Sequence, residues 1–156
     1  MKKLIILLSL ISFNTIGAGT SSNTDDSSET PDQIITLYAL AEKHIDNQSY
    51  DKSLKLLKKL TKREDLGTKR ADIYNLLGFS YRKLENPDLD KSFAAYMMAI
   101  EIDPSHLGAH EYLGELYLMR DQKDKAVIIL NKLDQLAGSN TEEYKELKIA
   151  IDEYQS

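Results

Sequence analysis

Tyr74-x2-Leu77-Gly78-x2-Tyr81 and His110-x2-Leu113-Gly114-x2-Tyr117 are one phrase written twice, with the glycines 36 residues apart. Each is followed by a second phrase. In the first copy it is Ser92, Tyr96, Ala99 and Pro104; in the second it is Ala126, Leu130 and Leu133, with Gly138 roughly where the proline stood. A period of this size marks a supersecondary unit that buries its apolar side only by stacking on copies of itself. Leu77 and Tyr81, or Leu113 and Tyr117, lie four residues apart and share one helical face. Glycine between them lets a paired helix approach closely, and small Ser92 or Ala126 is expected on the other side of that contact. The spacing predicts helices near 69–84, 88–102, 106–120 and 123–137. The first copy is two residues longer than the standard unit, and Glu85-Asn86-Pro87 is where the extra length fits, between its helices.

These phrases resemble the tetratricopeptide repeat (TPR), whose signature W-x2-L-G-x2-Y, A-x3-F, P recurs about every 34 residues on a helix-turn-helix unit. The Asp103-Pro104 ending belongs to the same resemblance. It implies an all-α, right-handed TPR solenoid of about three repeats, near 34–67, 71–104 and 107–138, closed by a capping helix near 141–155. Asp103 to Tyr117, with Glu143-Tyr144-x2-Leu147, further resembles a group of small secreted proteobacterial repeat proteins whose role is undefined. Members of that group often carry cysteines near the last turn. This chain has none, so nothing tied to such thiols carries over.

The first repeat is a weaker copy. Leu37, Leu40, Ala41 and His44 stand for the first phrase, and Ser53, Leu57 and Leu60 for the second. Thr30-Pro31-Asp32-Gln33 is a capping box with proline at the first helical position. A second helix is expected from Tyr50 to about Arg63, its leucines inward and Lys52, Lys55, Lys58 and Lys59 toward water. Thr68 and Ser105 are expected to cap the helices that follow them, and Asn140 with Glu143 to begin the last one. There Tyr144, Leu147, Ala150, Ile151 and Tyr154 form one apolar stripe. A repeat array needs such a cap, because its last unit otherwise leaves an apolar side wet.

Residues 1–18 read differently. Lys2 and Lys3 precede an apolar run from Leu4 to Phe13, then small residues, which is the order of a secretory signal peptide. Cleavage is expected after Ala18 or Gly19, and the run is short for a bilayer span. Residues 19–30 form a polar leader without a large apolar side chain, which cannot offset the entropy of ordering. Residues 31–156 form the repeat domain. The expected location is therefore the periplasm or outside the cell, with no stable membrane span after cleavage. Losing Lys2 and Lys3 leaves 18 basic against 25 acidic residues, a formal charge of about −7. Phosphate binding needs a basic stripe that this balance does not supply, so nucleic acid is not an expected partner.

The resemblance implies a concave face lined by the first helix of each repeat, which in this family receives an extended peptide or a partner helix. Counting the helical period away from the Leu/Gly/Tyr side places Tyr38, Glu42 and Ile45, then Asn75, Phe79 and Arg82, then Glu111, Glu115, Leu118 and Met119 on that face. An aromatic beside a guanidinium, as Phe79 and Arg82 are, suits a binding hot spot. Glu42, Glu111 and Glu115 are expected to form an acidic rim, which favours a protein or peptide partner with apolar and basic residues. The chaperone-binding subset of the family clamps a C-terminal carboxylate with basic and asparagine side chains, and this acidic face lacks that clamp.

No catalytic pattern appears: there is no H-E-x-x-H, G-x-S-x-G, phosphate loop or cysteine nucleophile. The expected function is an exported, non-catalytic interaction scaffold without a cofactor. The alternatives are an envelope or cytochrome c assembly factor and, in another class, a small metal-binding protein using His106 and His110, four residues apart at a helix start.

Overall fold

In a computed structural model, which describes residues 31–155, one backbone hydrogen bond closes each of the three helix pairs in the same way. The helices are α1 (Pro31–Asp46), α2 (Tyr50–Leu60), α3 (Lys69–Arg82), α4 (Leu89–Ile102), α5 (Leu107–Met119), α6 (Lys123–Ala137) and α7 (Glu142–Glu153). No strand occurs among the described residues. The N–H groups of Ser49, Asp88 and Gln122 donate to the carbonyls of His44, Tyr81 and Tyr117 at 2.7, 3.1 and 2.9 Å. The weak first copy is thereby in register with the two clear ones: His44 stands where the signature tyrosines stand, and Ala41 where the glycines stand.

The turn inside that bond takes two forms. In the first and third repeats it is tight, and Gln48 and Asp121 each adopt a left-handed φ of 56°. In the second repeat two more residues span the gap, and no residue of that turn needs a positive φ.

Packing follows the motif in the second repeat. A Cβ added to Gly78 would lie 2.6 Å from the Tyr96 ring and 3.1 Å from the Ser92 carbonyl oxygen. Ser92 Oγ donates to the Gly78 carbonyl at 2.8 Å, so its hydroxyl is satisfied in a fully buried place. The third repeat departs from the expectation. A Cβ on Gly114 would collide with Leu147 of α7, not with Ala126 or Leu130 of the paired helix. The capping helix packs on both α5 and α6 and buries Leu147 and Ile151.

Several boundaries differ for local reasons. α2 stops at Leu60, short of Arg63: the N–H groups of Lys62 and Arg63 donate three residues back, to Lys59 and Leu60, and the Arg70 guanidinium holds the carbonyls of Arg63 and Glu64, each at 2.9 Å. Ser105 does not cap α5: its N–H and hydroxyl both donate to Asp103 Oδ1, at 2.9 and 2.7 Å. His106 is the cap, its Nδ1 accepting from the Ala109 N–H at 3.1 Å. α7 is capped by Thr141, whose hydroxyl accepts from the Tyr144 N–H at 3.3 Å, and not by Asn140. Thr68 holds the capping position of α3 without a side-chain hydrogen bond. The expected signal peptide, the polar leader and the Thr30 cap lie outside the described residues.

Each second helix packs on its own first helix and on the next repeat's first helix. The first helices also touch in sequence, α1 to α3 and α3 to α5, whereas α2, α4 and α6 do not touch one another. That asymmetry puts α1, α3 and α5 on the inner side of the stack.

Candidate partner-binding groove

Tyr38 and Glu42, one turn apart on α1, begin the inner side. Burial, then the charges of Glu42 and Asp72, push the Tyr38 phenol well above its usual range. Burial also raises the Glu42 carboxyl, against the pull of Tyr38 and Lys69 and with the help of Asp46 and Asp72. Lys69 Nζ sits 4.8 Å from the Tyr38 ring centroid. Glu42 is thus a half-buried carboxylate among other acids, with one lysine near.

α3 supplies the centre. Asn75 is buried, and its Oδ1 has no hydrogen-bond partner. Its Nδ2 borders Gly108, where a Cβ would lie 3.3 Å away. Phe79 is half-buried and held between two tyrosines. The Tyr50 centroid is 6.2 Å away edge-on, and the Tyr112 centroid 5.1 Å away at a tilt. Arg82 is only 5% exposed. Its guanidinium carbon lies 5.6 Å from the Phe79 centroid and 5.2 Å from that of Tyr112, and it is ion-paired to Glu115 of α5. Burial works against its charge, but Tyr96 and Glu115 outweigh burial and hold Arg82 above its ordinary pKa. Stacking and a carboxylate partner offset much of a guanidinium's desolvation, although the Arg82 Nε is buried without a hydrogen-bond partner.

On α5, Glu111 is 2% exposed and lies in the packing between helices rather than at a rim. Glu115 is neutralised by Arg82. Of the acidic rim expected from Glu42, Glu111 and Glu115, Glu111 is buried and Glu115 ion-paired, which leaves Glu42. Leu118 is buried, Ile45 half-buried and Met119 exposed. The eight candidate residues lie on α1, α3 and α5, and three of them, Asn75, Arg82 and Glu111, are buried. Tyr38, Glu42, Phe79 and Glu115 are half-buried and Met119 is exposed, so these five keep contact with solvent. Counting missed Tyr50 and Tyr112. Tyr112 lies three residues before Glu115 and so shares its side, whereas Tyr50 opens a second helix and enters the groove from outside the count.

The histidine pair does not converge. His106 donates from Nε2 to Asp72 Oδ1 at 3.2 Å while Nδ1 caps the helix, so both nitrogens are engaged. His110 points elsewhere, with Nε2 3.1 Å from the Pro104 carbonyl oxygen, and burial holds its pKa below the ordinary value. Its Nδ1 is buried without a partner. Among the described residues no three His, Cys, Asp or Glu side chains gather as metal ligands do.

No protein-family model and no curated protein matches this chain. Solved structures do. MamA superposes with a TM-score of 0.64 at 22% identity, over 78% of this chain and 68% of its own. The Yersinia enterocolitica type III secretion chaperone SycD, in complex with a peptide of the translocator YopD, gives 0.65 at 20% identity over 79% and 89%. The first TPR of Spaghetti (RPAP3), bound to the HSP90 peptide SRMEEVD, gives 0.65 at 14% identity over 78% and 94%. At these identities the likeness is one of fold.

Proposed function

We propose that this chain, whose stacked helix pairs have the tetratricopeptide-repeat fold of those structures, is an exported, non-catalytic module that holds a peptide or partner helix against α1, α3 and α5. The observation that carries this reading is the aromatic platform of Phe79, Tyr50 and Tyr112, with the Arg82 charge already matched by Glu115. The guanidinium beneath it is already ion-paired, the Lys83 ammonium 5.6 Å from the Phe79 centroid belongs to an exposed side chain that can swing aside for an apolar one, and rigid aromatics lose little entropy. Met119 extends it on one side. On the other, a cation brought beside Glu42 would relieve a carboxylate that burial disfavours. The partner is therefore a segment with an apolar residue and, to one side, a lysine or arginine. SycD and RPAP3 were each crystallised or bound with a peptide, which supports a peptide in such a groove.

A random-peptide library selected on the purified chain tests this. The recovered peptides should pair an apolar residue with a basic one, and Phe79→Ala or Met119→Glu should weaken them by roughly tenfold or more. Glu42→Lys should reject them while leaving the melting temperature within a few degrees. Peptides that bind all three variants equally would place the site elsewhere. Arg82→Ala is no test of binding, because it strands Glu115 in a part-buried site and reports stability instead. Export is checked separately by mass spectrometry of the protein from fractionated cells, where the first residue should be Gly19 or Thr20. An intact Met1 in the soluble interior fraction would remove export from the proposal.

A further inference from the structure

Two positions of each repeat face the repeat before it. In the second repeat they are Leu77 on α3 and Ala95 on α4, buried in a cluster built with Leu54, Leu57 and Leu60 of α2. In the third they are Leu113 and Ile129, packed with Phe93, Tyr96 and Ile100 of α4. The recurring turn hydrogen bond makes Leu40 and Leu56 their equivalents in the first repeat. Among the described residues no repeat precedes them there: Leu40 is 39% exposed and Leu56 half-buried. Lys43 and Lys52, both exposed, lie within one turn of them. The whole of α2 carries four lysines against Asp51 alone.

The other end of the stack has the opposite character. α7 turns Leu147 and Ile151 inward, and the reverse side of the same helix presents Ile149, 54% exposed. Glu142, Glu153, Lys145 and the Lys148–Asp152 pair surround it on that side. Five acidic residues face two basic ones along the helix.

We propose that the N-terminal end of one copy receives the outer face of α7 of a second copy, with Ile149 seated against Leu40 and Leu56, and Lys43 and Lys52 opposite Glu142 and Glu153. Charge decides this occupant over the others. Two N-terminal ends would bring lysines together, and in the exported form proposed above, on which this inference rests, the leader left at residues 20–30 contains no large apolar side chain to cover Leu40. A head-to-tail contact of this kind uses a different surface on each copy, so it adds units without closing at two. With one aliphatic anchor and a charged border it is a weak contact, strengthened by local concentration.

Sedimentation of the full natural chain over a range of concentration and salt tests it. The average mass should climb steadily with concentration at low salt and fall back as salt shortens the screening length from about 14 Å to about 4 Å. Lys43→Glu with Lys52→Glu should weaken association roughly tenfold, as should Glu142→Lys with Glu153→Lys. Mixing those two variants should restore it, which no loss of folding can mimic. A mass that stays at one copy throughout would overturn the proposal. So would association indifferent to the charge reversals, or one that stops at two. Association that appears only after residues 1–30 are removed would show that this segment covers Leu40, and would also overturn it.

Discussion

The second and third repeats carry the same phrase and close it with different helices. Gly78 is filled by Tyr96 of its own repeat, which is wholly buried. Gly114 is filled by Leu147 of the capping helix, and Leu130, the residue in register with Tyr96, is only half-buried. α4 accordingly buries Ser92, Ala95, Tyr96 and Ala99, whereas α6 buries only Ala126 and Leu133; both helices leave apolar side chains in the open, Met97 and Met98 on α4 and Val127 and Ile128 on α6. A glycine in a repeat signature thus specifies that a side chain from a neighbouring helix comes close. It does not specify which helix sends it.

The largest test of this difference is truncation of the two equivalent residues. Tyr96→Ala should cost about 3–5 kcal/mol, as aromatic-to-alanine changes in a packed core do. Leu130→Ala should cost well under half as much, because part of that side chain is already in water. Chemical denaturation of the two variants measures both, and equal losses would mean that the repeats close alike. A double-mutant cycle sharpens the point. Gly114→Ala alone should cost about 1–3 kcal/mol by overpacking against Leu147, and much of that cost should vanish in a Leu147→Ala background. Leu130→Ala should give Gly114→Ala no such relief. The smallest effect is one of pH. His110 takes the place that Tyr74 holds in the second repeat, and burial, Lys132 and His106 hold its pKa below 6.5, with Asp103 opposing. A group with a lowered folded pKa contributes stability that is complete above its unfolded pKa and lost as pH falls. Stability should therefore decline as the pH drops below about 6.5, and His110→Phe should flatten that slope while Tyr74→Phe leaves it unchanged.

Much of this arrangement was legible from residue spacing. The four-residue steps of Leu77 and Tyr81 and of Leu113 and Tyr117 indicate paired helices, and the helical period sorts Tyr38, Phe79 and Glu115 onto one side. Two kinds of detail were not legible. Caps are decided by which of several adjacent polar side chains reaches the free N–H groups: Asp103 captures the Ser105 hydroxyl, leaving His106 to cap α5. Depth is decided by neighbours distant in sequence. Arg82 and Glu115 lie 33 positions apart and neutralise each other only because α3 and α5 touch, so neither residue's own surroundings in the chain reveal that the charge is hidden. The same holds for Glu111, which a count along α5 puts on a surface that packing closes.

The turn between α3 and α4 carries one more lesson. Two extra residues there leave the Asp88–Tyr81 hydrogen bond in place and every later helix in step with the earlier ones. The phase of the stack is therefore passed on by a bond rather than by chain length, and the exposed stretch from Glu85 to Pro87, beyond the core-packed Leu84, can change size without being felt downstream. It is the place where a reporter peptide could be spliced into the protein, or where a lineage could add residues, with the rest of the molecule unaware of the change.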